Sequence, residues 1–140
     1  MNAAPFDFYW LGRVAYAPTW ELQERLRETA LAGGRELVLL CEHTPVLTLG
    51  RSTRLSEDLL VPESVLAARG IDCIRTSRGG RVTYHGPGQL VVYPIVRLRQ
   101  GVLRHVEWLA AAAVEVAASV GIAAAFSRET VGVFVGTQKL

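Results

Sequence analysis

Residues 78–93, RGGRVTYHGPGQLVVY, concentrate the chemistry of this 140-residue chain. Gly79 and Gly80 lack side chains, so the backbone there can turn sharply and leave its N–H groups open to a ligand. If residues 81–85 form a strand, side chains alternate between its two faces. Val82 and Tyr84 then point one way, while Thr83 and His85 point the other, which sets a hydroxyl and an imidazole on one face beside Arg78. Arg81 adds a second guanidinium. Such a stretch can bind a substrate along bare backbone and offer it polar groups from one side. Taken singly, a His and a Gly pair would more often mark an ordinary hairpin with a satisfied imidazole; the length of the run favours the ligand reading.

Three further residues can carry chemistry. The chain has fourteen arginines and one lysine, Lys139. A lone lysine in an arginine-rich chain suggests a need for a titratable amine, which arginine cannot supply. Cys41 stands two residues before His43, so on a strand the two share a face, and a cysteine beside a histidine can form a nucleophile pair. Against this, LVLLC reads as buried core, where a free cysteine behaves as a small hydrophobe. Cys73, within IDCIR, reads as a packed strand residue. The absence of C-x-x-C spacing argues against a disulfide framework or a zinc site, so no metal ligand is assigned, and a reducing compartment fits best.

Elements must position these residues. Leu22, Leu26 and Ala30 follow Pro18 at four-residue spacing until Gly33 and Gly34, which predicts an amphipathic helix. Residues 36–42 and 46–49 read as strands, 63–69 as a short helix opened by Pro62, and 71–74, 81–85 and 89–96 as three more strands. The sequence Gly86-Pro87-Gly88 between the last two predicts that they pair as a hairpin. Val102, Val106, Leu109, Ala113, Val116 and Val120 recur at spacings of four and three, which predicts a helix over 102–120 ended by Gly121. Residues 123–126 and 131–135 are again strand-like. The expectation is an α+β fold, a mixed sheet with helices packed on it, in one domain over 1–140. Leu140 follows an apolar run with no closing element, which suggests a fold continuing past it.

Composition narrows the class. Half of the residues are hydrophobic, which excludes disorder. The net charge of +2 is scattered rather than clustered, giving no case for nucleic acid or an anionic membrane. Arg97, Arg99 and Arg104 could steer an acidic partner, although three arginines near a loop are more commonly solvated. No window approaches the roughly 18 apolar residues of a membrane span, and the N-terminus has no basic segment followed by an apolar one. A cytoplasmic protein is expected.

At this point the sequence resembles a known family, the lipoyl(octanoyl) transferases, also called octanoyl-[acyl-carrier-protein]:protein octanoyltransferases or lipoate-protein ligase B. Its pattern R-G-G-x-x-T-x-H-x-P-G-Q followed by an apolar run and Tyr is matched by Arg78, Gly79, Gly80, Thr83, His85, Pro87, Gly88, Gln89 and Tyr93. A second stretch, E-H-x-P-V-x-T-x-G-R, is matched by Glu42, His43, Pro45, Val46, Thr48, Gly50 and Arg51. A third is matched by Gly132, Val133, Phe134, Val135, Lys139 and Leu140.

The resemblance implies a catalytic domain of the biotin/lipoyl protein ligase type. It implies transfer of an octanoyl group from octanoyl-acyl carrier protein to the acceptor lysine of a lipoyl domain, as in 2-oxoacid dehydrogenases and the glycine cleavage H protein, without ATP or any other cofactor. The family proceeds through a cysteine acyl-enzyme. Lys139 takes the position of the lysine that lowers the thiol pKa and shuttles its proton, and Arg78, Gly79, Gly80, Arg81, Val82, Thr83, Tyr84 and His85 would line the acyl site. The family's nucleophilic cysteine lies downstream of that lysine, beyond these 140 residues, so the chain alone is expected to be inactive. Two alternatives are an ATP-dependent lipoate or biotin ligase of the same fold and a non-catalytic fragment that binds acyl groups or lipoyl domains.

Overall fold

A computed structural model describes residues 6–140. The chain divides after Arg97 into two compact units.

The first unit is built from two similar pieces. Strand β1 (Asp7–Val14) leads into helix α1 (Tyr16–Leu31) and returns as β2 (Leu37–His43), parallel to β1. Strand β3 (Val46–Leu49) leads through two short helices, α2 (Leu55–Asp58) and α3 (Glu63–Ala68), to β4 (Asp72–Arg75), again parallel. Parallel neighbours need a crossover, and helices supply both of them. Each piece then gains an antiparallel third strand. β5 (Val82–His85) pairs with β3, and β6 (Val91–Ile95) pairs with β2, giving strand orders β1-β2-β6 and β4-β3-β5.

This corrects the expected hairpin. Gly86-Pro87-Gly88 does reverse the chain, with Gln89 N–H donating to Gly86 O at 3.1 Å, but the strands on either side join different sheets. A local turn signal states that the chain turns; which strand it then pairs with is decided by burial. β2 and β3 are the central, most buried strands of their sheets, and each takes one of the two incoming strands. Their side chains form the centre of the unit: Cys41, His43, Val46 and Thr48 are fully buried, with Leu39 and Leu49 beside them. Two of these four are polar, which demands hydrogen-bond partners.

The second unit contains helix α4 (Val102–Ser119), which packs on β7 (Ala125–Ser127) and β8 (Gly132–Val135), and β9 (Gln138–Lys139) completes the antiparallel order β7-β8-β9. The helix ends one residue from the predicted position, and Ala110 and Ala117, one heptad apart, are its buried residues. Three elements carried no signal in the sequence. β1 shows no alternation because it is an edge strand, exposing Phe8, Tyr9 and Trp10. α2 and β9, of four and two residues, are too short for periodicity to register.

Candidate functional site

The glycine-rich segment is held by β3 and the turn after it. Gly50 N–H donates to Arg81 O at 3.1 Å, Arg51 N–H to Arg78 O at 3.0 Å and Ser52 N–H to Gly80 O at 3.1 Å. Residues 50–52 therefore grip residues 78–81 through three carbonyls. The grip is close: a Cβ at Gly50 would lie 2.3 Å from Gly80 O. Only glycine fits there, because the obstacle is backbone.

Arg78 fixes the segment from beneath. Its Nε and Nη2 donate to Thr48 Oγ1 at 3.1 and 2.8 Å, Nη2 also reaches Thr48 O at 2.6 Å, and Nη1 reaches Gly79 O at 3.0 Å. These partners are all neutral, so they leave the guanidinium charge uncancelled under the loop. Arg81 is used differently: it pairs with Asp58 at 2.6 Å and Glu57 at 2.9 Å on α2. That contact, with the Arg54 N–H as a second donor, holds the Asp58 carboxyl below its ordinary value. Above this framework, Gly79 and Gly80 are exposed. A Cβ at Gly79 would meet nothing within 4 Å, so no packing explains its bareness, whereas Gly80 adopts φ 81°, a conformation that favours glycine.

Thr83 and His85 do share a face of β5, as alternation requires, with Thr83 exposed and His85 half-buried. His85 Nδ1 donates to Gln89 Oε1 at 2.7 Å, which ties the strand to the turn that follows. Beneath it lies a buried aromatic group: the His85 ring is 5.9 Å from His43 and stacks on Tyr16 at 6.4 Å.

His43 is fully buried and doubly bonded. Nδ1 is 3.0 Å from Val14 O, a pure acceptor, so Nδ1 carries the proton; Nε2 then accepts from the Tyr93 hydroxyl at 2.8 Å. Burial pushes the His43 pKa down, aided by the neighbouring His85 and opposed by the Val14 carbonyl. Burial likewise raises the Tyr93 phenol, which stays a donor. Cys41 Sγ lies 3.6 Å from the same Nε2, the shared face that strand alternation anticipates. The pair is nonetheless unsuited to nucleophilic work. The Nε2 lone pair is engaged by Tyr93, the thiol is fully buried, and desolvation raises its pKa, the reverse of what a nucleophile needs.

The two motif stretches thus meet along the β3–β5 ladder and at side chains around it. Besides Thr48–Arg78, residues 50–52 with 78–81, and His43–Tyr93, the Glu42 carboxylate accepts from Gly88 N–H at 3.2 Å and from Arg13 at 3.0 Å. Those bonds, the Gly88 amide first, hold the Glu42 carboxyl low. Sequence reasoning singled out neither Thr48 nor Tyr93 for a role, since their partners lie 30 and 50 residues away.

Lys139 lies in the second unit. Its Nζ donates to Val131 O at 3.1 Å, and its backbone pairs with Phe134. Of the three arginines considered for steering, Arg97 pairs with Glu36 at 2.6 Å and Arg104 with Glu107 at 3.1 Å. Both charges are thereby largely neutralised.

The site is thus an exposed glycine-rich loop gripped by the turn after a buried strand of an α+β frame, and comparison specifies the family. The family model of the lipoyl protein ligase A/B catalytic domain matches residues 15–140, and the chain belongs to that family. Curated relatives named octanoyltransferase include one from Solibacter usitatus, 42% identical over 134 residues, covering 93% of this chain and 60% of the relative. Another, from Maridesulfovibrio salexigens, is 38% identical over 138 residues, covering 96% and 64%. A third, from Chloroflexus aggregans, is 42% identical over 118 residues, covering 81% and 53%. The chain spans about half the length of the curated relatives it matches. Among solved structures, lipoate-protein ligase A bound with ATP superposes with a TM-score of 0.70 at 15% identity, covering 98% of this chain and 59% of that one. The bipartite lipoate protein ligase of Thermoplasma acidophilum gives 0.67 at 15% identity, covering 94% and 51%. The fold is that of the lipoate protein ligases. Among the described residues, no helix is long and apolar enough to cross a membrane.

Proposed function

We propose that the protein to which these residues belong is a cytoplasmic octanoyltransferase of protein lipoylation. The donor is octanoyl-acyl carrier protein, and the acceptors are lipoyl domains of 2-oxoacid dehydrogenases and the glycine cleavage H protein. The observation that carries this reading over an ATP-dependent ligase is the contrast in identity: octanoyltransferases match at 36–46%, whereas the ligase structures share the fold at 14–15%. Residues 1–140 supply the N-terminal part of one catalytic domain.

In this reading the acyl chain lies along residues 78–85, against bare backbone at Gly79 and Gly80. A cysteine from outside these residues attacks the donor thioester; its sulfur bonds the carbonyl carbon, and the carrier thiolate leaves and takes up a proton. The acceptor lysine amine then attacks the acyl-enzyme thioester, loses a proton, and expels the cysteine thiolate. Lys139, as an ammonium, favours the cysteine thiolate and passes the proton. Arg78 keeps a positive charge beneath the loop where negative charge develops on the thioester oxygen.

The experiment is octanoyl transfer by the full-length protein from octanoyl-acyl carrier protein to an apo lipoyl domain, read as the mass gain of one octanoyl group without ATP. Modification that requires free octanoate and ATP, with none from the carrier-bound thioester, would assign the protein to the ligases instead.

A further inference from the structure

The reading of Lys139 as the working amine raises the question of what holds so flexible a side chain in place. Three features converge on it. A Cβ built on Gly132 would lie 2.6 Å from Lys139 Cε and 3.1 Å from Nζ, so the lysine side chain runs across β8 over Gly132, and a side chain there would push it off this path. Its Nζ ends on Val131 O. Val131 is the single non-glycine residue at positive φ among the described residues, at φ 33°. β-branched residues resist this region, and turn chemistry would place Gly or Asn there, so the connection between β7 and β8 does not account for a valine. Strain of this sort persists where the surroundings enforce it and clusters at working sites. The backbone below is also fixed: Lys139 pairs with Phe134, and Leu140 N–H donates to Val133 O at 2.8 Å.

We propose that Val131 and Gly132 are positioning residues for Lys139. The left-handed turn at Val131 aims a carbonyl at the ammonium, and Gly132 provides the flat floor across which the methylene chain runs. One hydrogen bond to a neutral carbonyl orients Nζ without engaging its charge in an ion pair. This inference rests on the assignment of Lys139 as the amine that serves the acyl site.

The test uses the full-length protein and two readouts. The first is the rate of Lys139 acetylation by acetic anhydride against pH, mapped by peptide mass. The second is the split between kcat and KM for octanoyl transfer. Gly132→Ala, which places a methyl on the lysine's path, and Val131→Pro, which locks φ near −65° and turns the carbonyl away, should each raise Lys139 labelling several-fold. They should lower kcat by on the order of tenfold to a hundredfold, with KM little changed. Val131→Asn, which tolerates the left-handed conformation, should behave as the unmodified protein in both readouts. Unchanged labelling in natively melting Gly132→Ala and Val131→Pro variants would overturn the proposal, as would Val131→Asn losing as much as Val131→Pro. If the variants do not fold, the unmodified protein decides: 15N-edited spectra should show a slowly exchanging Lys139 ammonium, and a freely exchanging one rejects the cradle. Shifted labelling with full transfer activity, matched by a fully active Lys139→Ala, would leave the cradle standing and remove the catalytic reading.

Discussion

Gly50→Ala tests whether the turn after β3 holds the glycine-rich loop. The added Cβ would stand 2.3 Å from Gly80 O, 2.9 Å from Gly80 C and 3.0 Å from Arg81 O, where ordinary contact begins near 3.4 Å, so the two segments must part by about 1.1 Å. That displacement breaks the hydrogen bonds from Gly50 N–H to Arg81 O and from Ser52 N–H to Gly80 O, each 3.1 Å long, and stretches the Arg51 N–H bond to Arg78 O. At about 1 kcal/mol net per bond, the loss is roughly 2–3 kcal/mol. The smaller backbone entropy of alanine in the unfolded chain returns about 0.4–1 kcal/mol. The expected net destabilisation is about 1–3 kcal/mol. Urea unfolding followed through Trp10 and Trp20 measures it, and amide exchange at Arg51 and Ser52 should lose protection. Gly79→Ala is the matched control, because a Cβ there meets nothing within 4 Å. It should leave stability within about 0.5 kcal/mol, yet impair octanoyl transfer if that bare backbone receives the substrate. A Gly50→Ala protein as stable as the original, with Arg51 and Ser52 still protected, would refute the grip.

Three further outcomes follow from the buried cluster. Tyr93→Phe removes the hydroxyl donor to His43 Nε2 and leaves that buried acceptor only the weak Cys41 thiol at 3.6 Å, so thermal melts should show a loss of about 1–3 kcal/mol; an unchanged midpoint would contradict the assigned bond. His43 has a folded pKa below its unfolded value near 6.5, so its contribution is fully present above that pH. As pH falls from there toward the folded pKa, the unfolded chain takes up the proton first, and stability declines by up to about 1.4 kcal/mol per pH unit. His43→Asn should flatten that part of the stability–pH curve. Cys41 should resist iodoacetamide in the native protein and react after unfolding, since its thiol is inaccessible and its pKa raised; labelling in the native state at the rate of a free thiol would reopen the Cys41–His43 pair.

What could be read in the sequence was whatever a short stretch contains by itself. The span of α4, the turn at residues 86–88, the shared face of Thr83 with His85 and that of Cys41 with His43 are local properties, and the structure has all four, although α4 buries Ala110 and Ala117 while Val102, Leu109, Val116 and Val120 of the expected apolar face are exposed. The pairing of β5 and β6 with different central strands is a competition among distant segments for burial, and no turn residue encodes its result. The supports of the site were hidden for the same reason. Thr48 looks like an ordinary strand residue until Arg78 arrives from 30 residues away, and Gly50 looks like a strand terminator until Gly80 O stands where its side chain would be.

The use of cations along the chain follows the same division between support and chemistry. Arg13, Arg27, Arg35, Arg54, Arg81, Arg97, Arg104 and Arg128 all pair with carboxylates, a task in which the guanidinium's permanent charge and several donors are assets. Arg78 extends this to neutral oxygens. Three of its nitrogens reach Thr48 Oγ1, Thr48 O and Gly79 O together, a fork that one ammonium nitrogen could not reproduce. Lys139 departs from the pattern, for its partner is a single carbonyl and its group is an amine rather than a guanidinium. An arginine at 139 would keep a positive charge, but it could not release a proton to a leaving thiolate at working pH. In the proposed reaction the group that holds the loop must stay charged and the group that serves the thiol must not be obliged to, a division of labour that arginine at 78 and lysine at 139 would suit.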